Sequence, residues 1–171
     1  MKNVEIKAKI KNLKTLLQFG KILAGREATI IKQHDTFYNA KKGRIKLRRL
    51  DAGQAELIFY DRPDVMGPKL CLFEKVNVHP EQLSSMEQLL DTTLGSLIEV
   101  KKMRHLFIIG QTRLHIDEVE NLGDFMELEV CLEPGQTPED GDYIAKELMD
   151  KLGIQEEDLI NCAYADLLMK K

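Results

Sequence analysis

Charged residues fall at every second position in three short stretches: Glu5-Ile6-Lys7-Ala8-Lys9, Lys46-Leu47-Arg48, and Glu127-Leu128-Glu129, with Asp117 shortly before the last. Side chains two apart on a strand leave from the same face. Each stretch therefore lays charges in a row on one side and apolar residues on the other. A row of this kind suits either a solvated sheet face or the inside of a barrel.

The rest of the chain supplies the elements that decide between the two. Val4, Ile6, Ala8 and Ile10 alternate with charged residues in a first strand. Leu13, Leu16, Leu17, Ile22 and Leu23 then repeat at helical spacing toward Gly25. Strand patterns follow at Ile31 to Tyr38, Arg44 to Leu50, Ala55 to Asp61 and Leu70 to Val78, punctuated by Lys42-Gly43, Asp51-Ala52-Gly53 and the Pro63 to Pro68 loop. Leu83, Met86, Leu89, Leu90 and Leu94 predict a second amphipathic helix closed by Gly95. Three more strands are expected at Ile98 to Ile109, Gln111 to Val119 and Asp124 to Glu133. Thr137 and Pro138 cap and open a third helix. A last helix is expected to carry Leu159, Ile160, Ala163, Leu167 and Leu168. Eight antiparallel strands suffice to close a barrel, so the expected class is α+β: an eight-stranded antiparallel tunnel with helices packed outside.

Composition narrows the function classes. The 171 residues, 43% of them apolar, suit one domain spanning 1–171 with a real core. A net charge of only −3, with 31% of residues charged, gives no general attraction to nucleic acid or acidic membranes. Cys71, Cys131 and Cys162 are odd in number and form no CxxC or Cys/His pattern. That argues against a disulfide framework or zinc site and for a reduced, cytoplasmic setting. No export signal or membrane-spanning run is visible.

Closing the sheet turns the polar faces inward, because the helices claim the apolar ones. Buried ionised groups persist only when paired, hydrogen-bonded or bound to a metal. Lys9, Lys46, Arg48, Lys102, Arg104 and Arg113 would face Glu5, Asp117, Glu127 and Glu129 across this interior, satisfying one another in part. An anion for the cations and a divalent cation for the carboxylates would complete the balance. A magnesium polyphosphate supplies both, since its oxygens suit arginine forks and magnesium prefers oxygen ligands.

In this order, Val4-Glu5-Ile6-Lys7-Ala8-Lys9, Gln33-His34-Asp35-Thr36-Phe37-Tyr38, Gly43-Arg44-Ile45-Lys46-Leu47-Arg48-Arg49, Lys102-Met103-Arg104, Thr112-Arg113 and the run from Asp117 to Glu129 are quite specific. Together with Ala163-Tyr164-Ala165-Asp166-Leu167-Leu168, they make the chain resemble the CYTH superfamily of triphosphate tunnel metalloenzymes, most closely class IV adenylyl cyclase-like proteins. The resemblance implies a tunnel that grips a triphosphate and holds Mg²⁺ or Mn²⁺. It implies Glu5, Asp117, Glu127 and Glu129 as the metal side. Lys9, Lys46, Arg48, Lys102, Arg104 and Arg113 become the phosphate side, with Lys9, Arg48, Lys102 and Arg104 as catalytic cations. The substrates implied are ATP, thiamine triphosphate or tripolyphosphate, and a homodimer is common among relatives.

The departures from the family pattern carry information too. Lys7 stands where relatives place a second carboxylate, which weakens the metal site and adds a phosphate contact. Asp61 replaces a Lys or Arg, with Arg62 next door as the expected substitute, and Leu70 stands where relatives often carry arginine. Two readings stay open on activity: cyclisation of ATP to cyclic AMP and pyrophosphate, or hydrolysis of an organic or inorganic triphosphate. A non-catalytic nucleotide or polyphosphate binding module with a degenerate metal site is the competing reading, and a barrel whose charges only pair with one another is a third. His34 and His105 read as packing or surface groups, with His115 facing the tunnel beside Arg113 and Asp117.

Overall fold

The computed structural model describes residues 2–171. Eight strands close into a barrel: β1 (Lys2–Lys9), β2 (Thr29–Tyr38), β3 (Arg44–Arg49), β4 (Ala55–Asp61), β5 (Lys69–Val78), β6 (Ser96–Ile109), β7 (Thr112–Val119) and β8 (Gly123–Cys131). Around the barrel the order is β1-β5-β4-β3-β2-β6-β7-β8, and every neighbouring pair is antiparallel. The expected architecture is present, with boundaries displaced by a residue or two at several strand ends.

Helices cover the outside where the strands present apolar residues. The first and third, α1 (Leu13–Ala24) and α3 (Pro138–Lys151), lie against β6 and β7 and against β1 and β8 respectively. There Leu16, Ala145 and Leu148 pack on Val4, Ile6, Leu114, Ile116, Met126 and Leu128. Each such side chain contributes about 1.5–3 kcal/mol when fully buried, so this cluster anchors the strands that carry Glu5, Lys7, Glu127 and Glu129. The Asn12 side-chain Oδ1 accepts the Thr15 backbone N–H at 3.0 Å, and Gly25 closes α1 with φ 69. Thr137 caps α3 ahead of Pro138, as the sequence predicts, and it also forms a reciprocal capping box with Asp140.

A second helix, α2 (Pro80–Thr93), packs Leu90, with Leu83 and Met86, over Leu47, Ala55 and Val78. Leu89, expected in that apolar stripe, instead faces solvent. The other correction concerns the C-terminus. Helix α4 spans only Tyr164–Met169. Leu159 pairs with Ala8 as an isolated bridge, and the Ile160 N–H donates to the Lys7 carbonyl at 3.0 Å. This stretch is extended because it adds main-chain hydrogen bonds to the end of β1, which a helix through Leu159 and Ile160 would forgo. It delivers Tyr164 into the barrel, where it packs with Phe125, Phe37 and Tyr60. Among the described residues, no helix is long and apolar enough to cross a membrane.

Gly141 lets α3 approach β1 closely, since a Cβ there would lie 2.6 Å from Val4 Cγ2. Gly141→Ala gains about 1 kcal/mol of helix propensity but overpacks a rigid strand by about 1–3 kcal/mol. The substitution is expected to lower the midpoint of urea unfolding, and an unchanged or higher midpoint would refute the close-approach reading.

Candidate functional site

Alternation decides what enters the tunnel. Glu5 and Lys7 on β1 point inward, and their register partners on β8 are Glu129 and Glu127. On β7 the inward residues Arg113 and His115 sit opposite Glu129 and Glu127. Lys102 and Arg104 come from β6, Asp35 from β2, and Lys46 and Arg48 from β3. All of these line one cavity of about 610 Å³. Among the described residues, nine Lys or Arg side chains line it against five Asp or Glu. The excess is positive, in a chain whose net charge is negative.

The acidic side is compact. One carboxylate oxygen from each of Glu5, Glu127 and Glu129 lies within 4.8 Å of the others. Glu5 and Glu129 are direct cross-strand partners, a like-charge pairing that is unfavourable without a cation between or beside it. Burial, followed by Glu127 and Glu129, pushes the Glu5 carboxyl upward. Burial also opposes ionisation of Glu127, but Lys7 and Arg104 outweigh it and hold that carboxyl below its ordinary range.

Each acid also has a resident cation. Arg62 Nη1 donates to Glu5 Oε2 at 2.9 Å, Lys7 Nζ lies 3.7 Å from Glu127 Oε2, and Arg113 Nη2 lies 2.9 Å from Glu129 Oε2. Arg104 Nη2 stands 3.8 Å from the same Glu127 oxygen. Arg62 thus occupies the inward place while Asp61, its neighbour, is the last residue of β4. On β5 the buried cation is Lys69, donating to the Val65 carbonyl at 3.1 Å, next to Leu70.

Asp117, expected among the metal ligands, stands apart from the acidic trio. It is fully buried, receives both arms of Arg104 at 2.8 and 2.7 Å, and accepts the Tyr164 hydroxyl at 2.8 Å. Burial would raise its pKa, yet Arg104 keeps it well below the usual carboxylate range. Its place here is to fix Arg104 and dock α4. Lys9, expected among the catalytic cations, is exposed at the end of β1, beyond the Ala8–Leu159 bridge, and does not line the cavity.

The opposite wall is a cation cluster built around a residue that the sequence reading left unassigned. Asp35 takes both arms of Arg48 at 2.8 Å, Lys46 Nζ at 3.1 Å and Lys102 Nζ at 3.2 Å. Its inward direction was hard to read because β2 alternates mixed residues on both faces. The one available signal was its register with Arg48 across the β2–β3 connection. Tyr164 is the other omission: its ring lies 4.1 Å beneath Lys7 Nζ. His115 faces the tunnel as expected. Burial and then Arg104 lower it to about 4, so it is neutral at pH 7, and its buried Nδ1 lacks a partner among the described residues.

The closed antiparallel barrel thus carries an acidic trio on one inner wall and a cation cluster on the other. The chain belongs to the CYTH domain family, whose model matches residues 1–164. The solved structure of PH1012 from Pyrococcus horikoshii OT3 is similar in fold, with TM-score 0.82 and 21% identity over 96% of this chain and 98% of that one. A candidate adenylate cyclase from Vibrio parahaemolyticus aligns with TM-score 0.78 and 21% identity, covering 98% and 97%. The Pct1 RNA triphosphatase of Schizosaccharomyces pombe aligns more loosely, with TM-score 0.52 and 12% identity over 87% and 77%. At these identities the likeness is one of fold. A comparison with curated proteins found no match.

Burial, followed by Arg48, lowers Lys46 to about 8, against the opposing pull of Asp35. A lysine depressed below its unfolded value favours its neutral form in the folded protein. Its contribution to folding stability therefore improves as pH rises from about 8 toward the unfolded value of 10.5, while its positive charge is lost over the same window. Tripolyphosphate affinity, read by calorimetry, is expected to fall as pH rises through about 8. In Lys46→Met, affinity should be roughly tenfold weaker at neutral pH, with much of that alkaline decline gone. A decline of the same size in the variant would assign it to another group.

Proposed function

We propose that this protein is a metal-dependent enzyme that binds a triphosphate inside the barrel and acts on it. The observation that carries this is the excess of cations over carboxylates lining a single cavity. A surplus of positive charge gathered on one cavity favours an anion there, and a triphosphate has the charge, length and oxygen geometry to meet several arginines and lysines at once.

The acidic trio fits a divalent ion. Three carboxylate oxygens are hard donors, and the repulsion between Glu5 and Glu129 is the kind a cation relieves. Glu5, Glu127 and Glu129 would hold Mg²⁺ or Mn²⁺, which when bound neutralises phosphoryl charge and polarises the reacting oxygen. The remaining work belongs to the chain. Arg48, Lys46 and Lys102 hold one end of the phosphate chain, and Arg104, braced by Asp117, presents its guanidinium between the two walls. Arg113, Arg62 and Lys7 exchange their carboxylates for phosphate oxygens as the substrate enters. Phosphoryl transfer needs mainly positioning and neutralised charge, and these residues provide both in a site largely shielded from water. Attack by a ribose 3'-hydroxyl on the α-phosphorus of ATP gives cyclic AMP and pyrophosphate; attack by water on the γ-phosphorus gives a diphosphate and phosphate.

The non-catalytic reading draws on one observation, that every carboxylate of the trio already has a basic partner. Incubation with ATP, thiamine triphosphate or tripolyphosphate, each with Mg²⁺ or Mn²⁺, separates the readings by product. Glu127→Gln and Glu129→Gln should each reduce metal-dependent turnover by on the order of 10²-fold or more, since even residues that merely orient metal ligands are worth 10–100-fold. Glu118→Gln, on the outer face beside His105, should leave turnover unchanged. Thermal stabilisation by tripolyphosphate with no product from any substrate would establish the binding module instead.

The same pairing predicts how the two ligands bind. Phosphate oxygens that draw Lys7, Arg62 and Arg113 away release the carboxylates for the metal, so each ligand assists the other. Mn²⁺ affinity measured by calorimetry should rise roughly tenfold or more when tripolyphosphate is present, and by reciprocity tripolyphosphate should tighten by the same factor with Mn²⁺. The ratio must be corrected for Mn²⁺ binding to free tripolyphosphate. Independent binding of the two would show that the resident ion pairs do not compete with them.

A further inference from the structure

We propose that Asp35 is a positioning residue for the polyphosphate, a built-in counter-anion that aims Lys46, Arg48 and Lys102 at one place on the cavity wall before ligand arrives. This rests on the triphosphate reading of the tunnel. Asp35 is completely buried, and its two oxygens collect cations from two neighbouring strands, β3 and β6. Arg48 Nε meets Oδ1 at 2.8 Å, while Arg48 Nη2, Lys46 Nζ and Lys102 Nζ meet Oδ2 at 2.8, 3.1 and 3.2 Å. An ammonium has three donors and a guanidinium five, so one carboxylate leaves most of this donor capacity unused. The three cations also line the cavity, so the unused donors are available to a ligand there.

Asp35 can act on an incoming phosphate in two opposed ways. As a like charge it repels the ligand and competes for the same donors. As an organiser it removes rotamer freedom from long side chains before binding has to do so. It also offsets the burial that disfavours the charged forms of Lys46 and Lys102. The charged neighbours work against those lysines: Arg48 from β3 and Arg104 from β6 both disfavour further positive charge. Glu56 on β4 acts on Arg48, and Tyr60 stays neutral because burial raises its hydroxyl above the accessible range. Asp35 is the only carboxylate in direct contact with Lys46 and Lys102 among the described residues, so without it both would face the cavity with no anionic partner.

The two effects predict opposite signs for Asp35→Asn. Calorimetric titration of the full-length protein with tripolyphosphate should show affinity reduced tenfold or more at neutral pH. The alkaline decline, set near pH 8 in the wild type, should move to lower pH. Tighter binding in Asp35→Asn would mark the residue as a competitor and overturn the proposal, as would unchanged affinity with an unmoved decline. If the variant fails to fold, the wild type still decides. NMR of lysine ammonium groups in the ligand-free protein should show Lys46 charged, with slowed proton exchange, at neutral pH. A neutral or fast-exchanging Lys46 amine overturns the proposal. Wild-type protein that ignores tripolyphosphate altogether would refute the triphosphate reading itself, a different result from loss of the Asp35 effect alone.

Discussion

Charge pairing across neighbouring strands, inside a closed sheet, is the interaction on which the structure rests. Moving an ion out of water is unfavourable by several kcal/mol, and a barrel lined with ions folds only if those ions face partners. Antiparallel register supplies the partners: Arg104 lies opposite Asp117, Arg48 opposite Asp35, Arg113 opposite Glu129 and Lys7 opposite Glu127. Because the side-chain period is two, the register that joins these pairs also turns Leu114, Ile116, Met126 and Leu128 outward beneath α1 and α3. A slip of one residue would expose the apolar set and break the ion pairs together, so the two requirements reinforce a single register.

Pairing does not use up the interior charge. Asp35 and Asp117 bind their arginines through both arms and are deeply buried, which makes them structural anchors of the tunnel wall. The pairs of Glu5, Glu127 and Glu129 are of another kind, each made to a single carboxylate oxygen, with Lys7 and Arg104 at 3.7 and 3.8 Å from the same atom of Glu127. Each leaves the second carboxylate oxygen without a basic partner, and around Glu127 the contacts are also long. The wall therefore divides into rigid pairs that set geometry and looser pairs that a ligand can exchange.

Much of this was legible from residue order. Alternation in Glu5-Ile6-Lys7-Ala8 and Glu127-Leu128-Glu129 gave the inward set, because one face of each strand is purely apolar and parity is unambiguous. In β2 both faces carry polar residues, Gln33 and Asp35 on one and Lys32, His34 and Thr36 on the other, so parity there does not reveal the inward place of Asp35. Lys9 has the right parity but lies too far along β1, and strand height relative to the closing segment is a tertiary fact. Leu159 and Ile160 have helical spacing with Ala163 and Leu167, yet they pair with β1. Apolar spacing over so few residues does not distinguish a helix from an extended segment that finds an open strand end.

Lys7 shows how a single inward position can shift the balance of the site. A carboxylate there would sit across β1 and β8 from Glu127 and add to the repulsion already present between Glu5 and Glu129. An ammonium 3.7 Å from Glu127 and 4.1 Å above the Tyr164 ring instead neutralises part of the acidic wall from within. The apo barrel is thereby relieved of charge that would oppose its closure, and the trio is a weaker trap for a free cation. On the proposed triphosphate reading, recruitment of a metal would depend on the phosphate, whose oxygens would supply the ligands that Lys7 withholds and give Lys7 another anion to face. A site arranged in this way favours the metal and the polyanion jointly over either one alone.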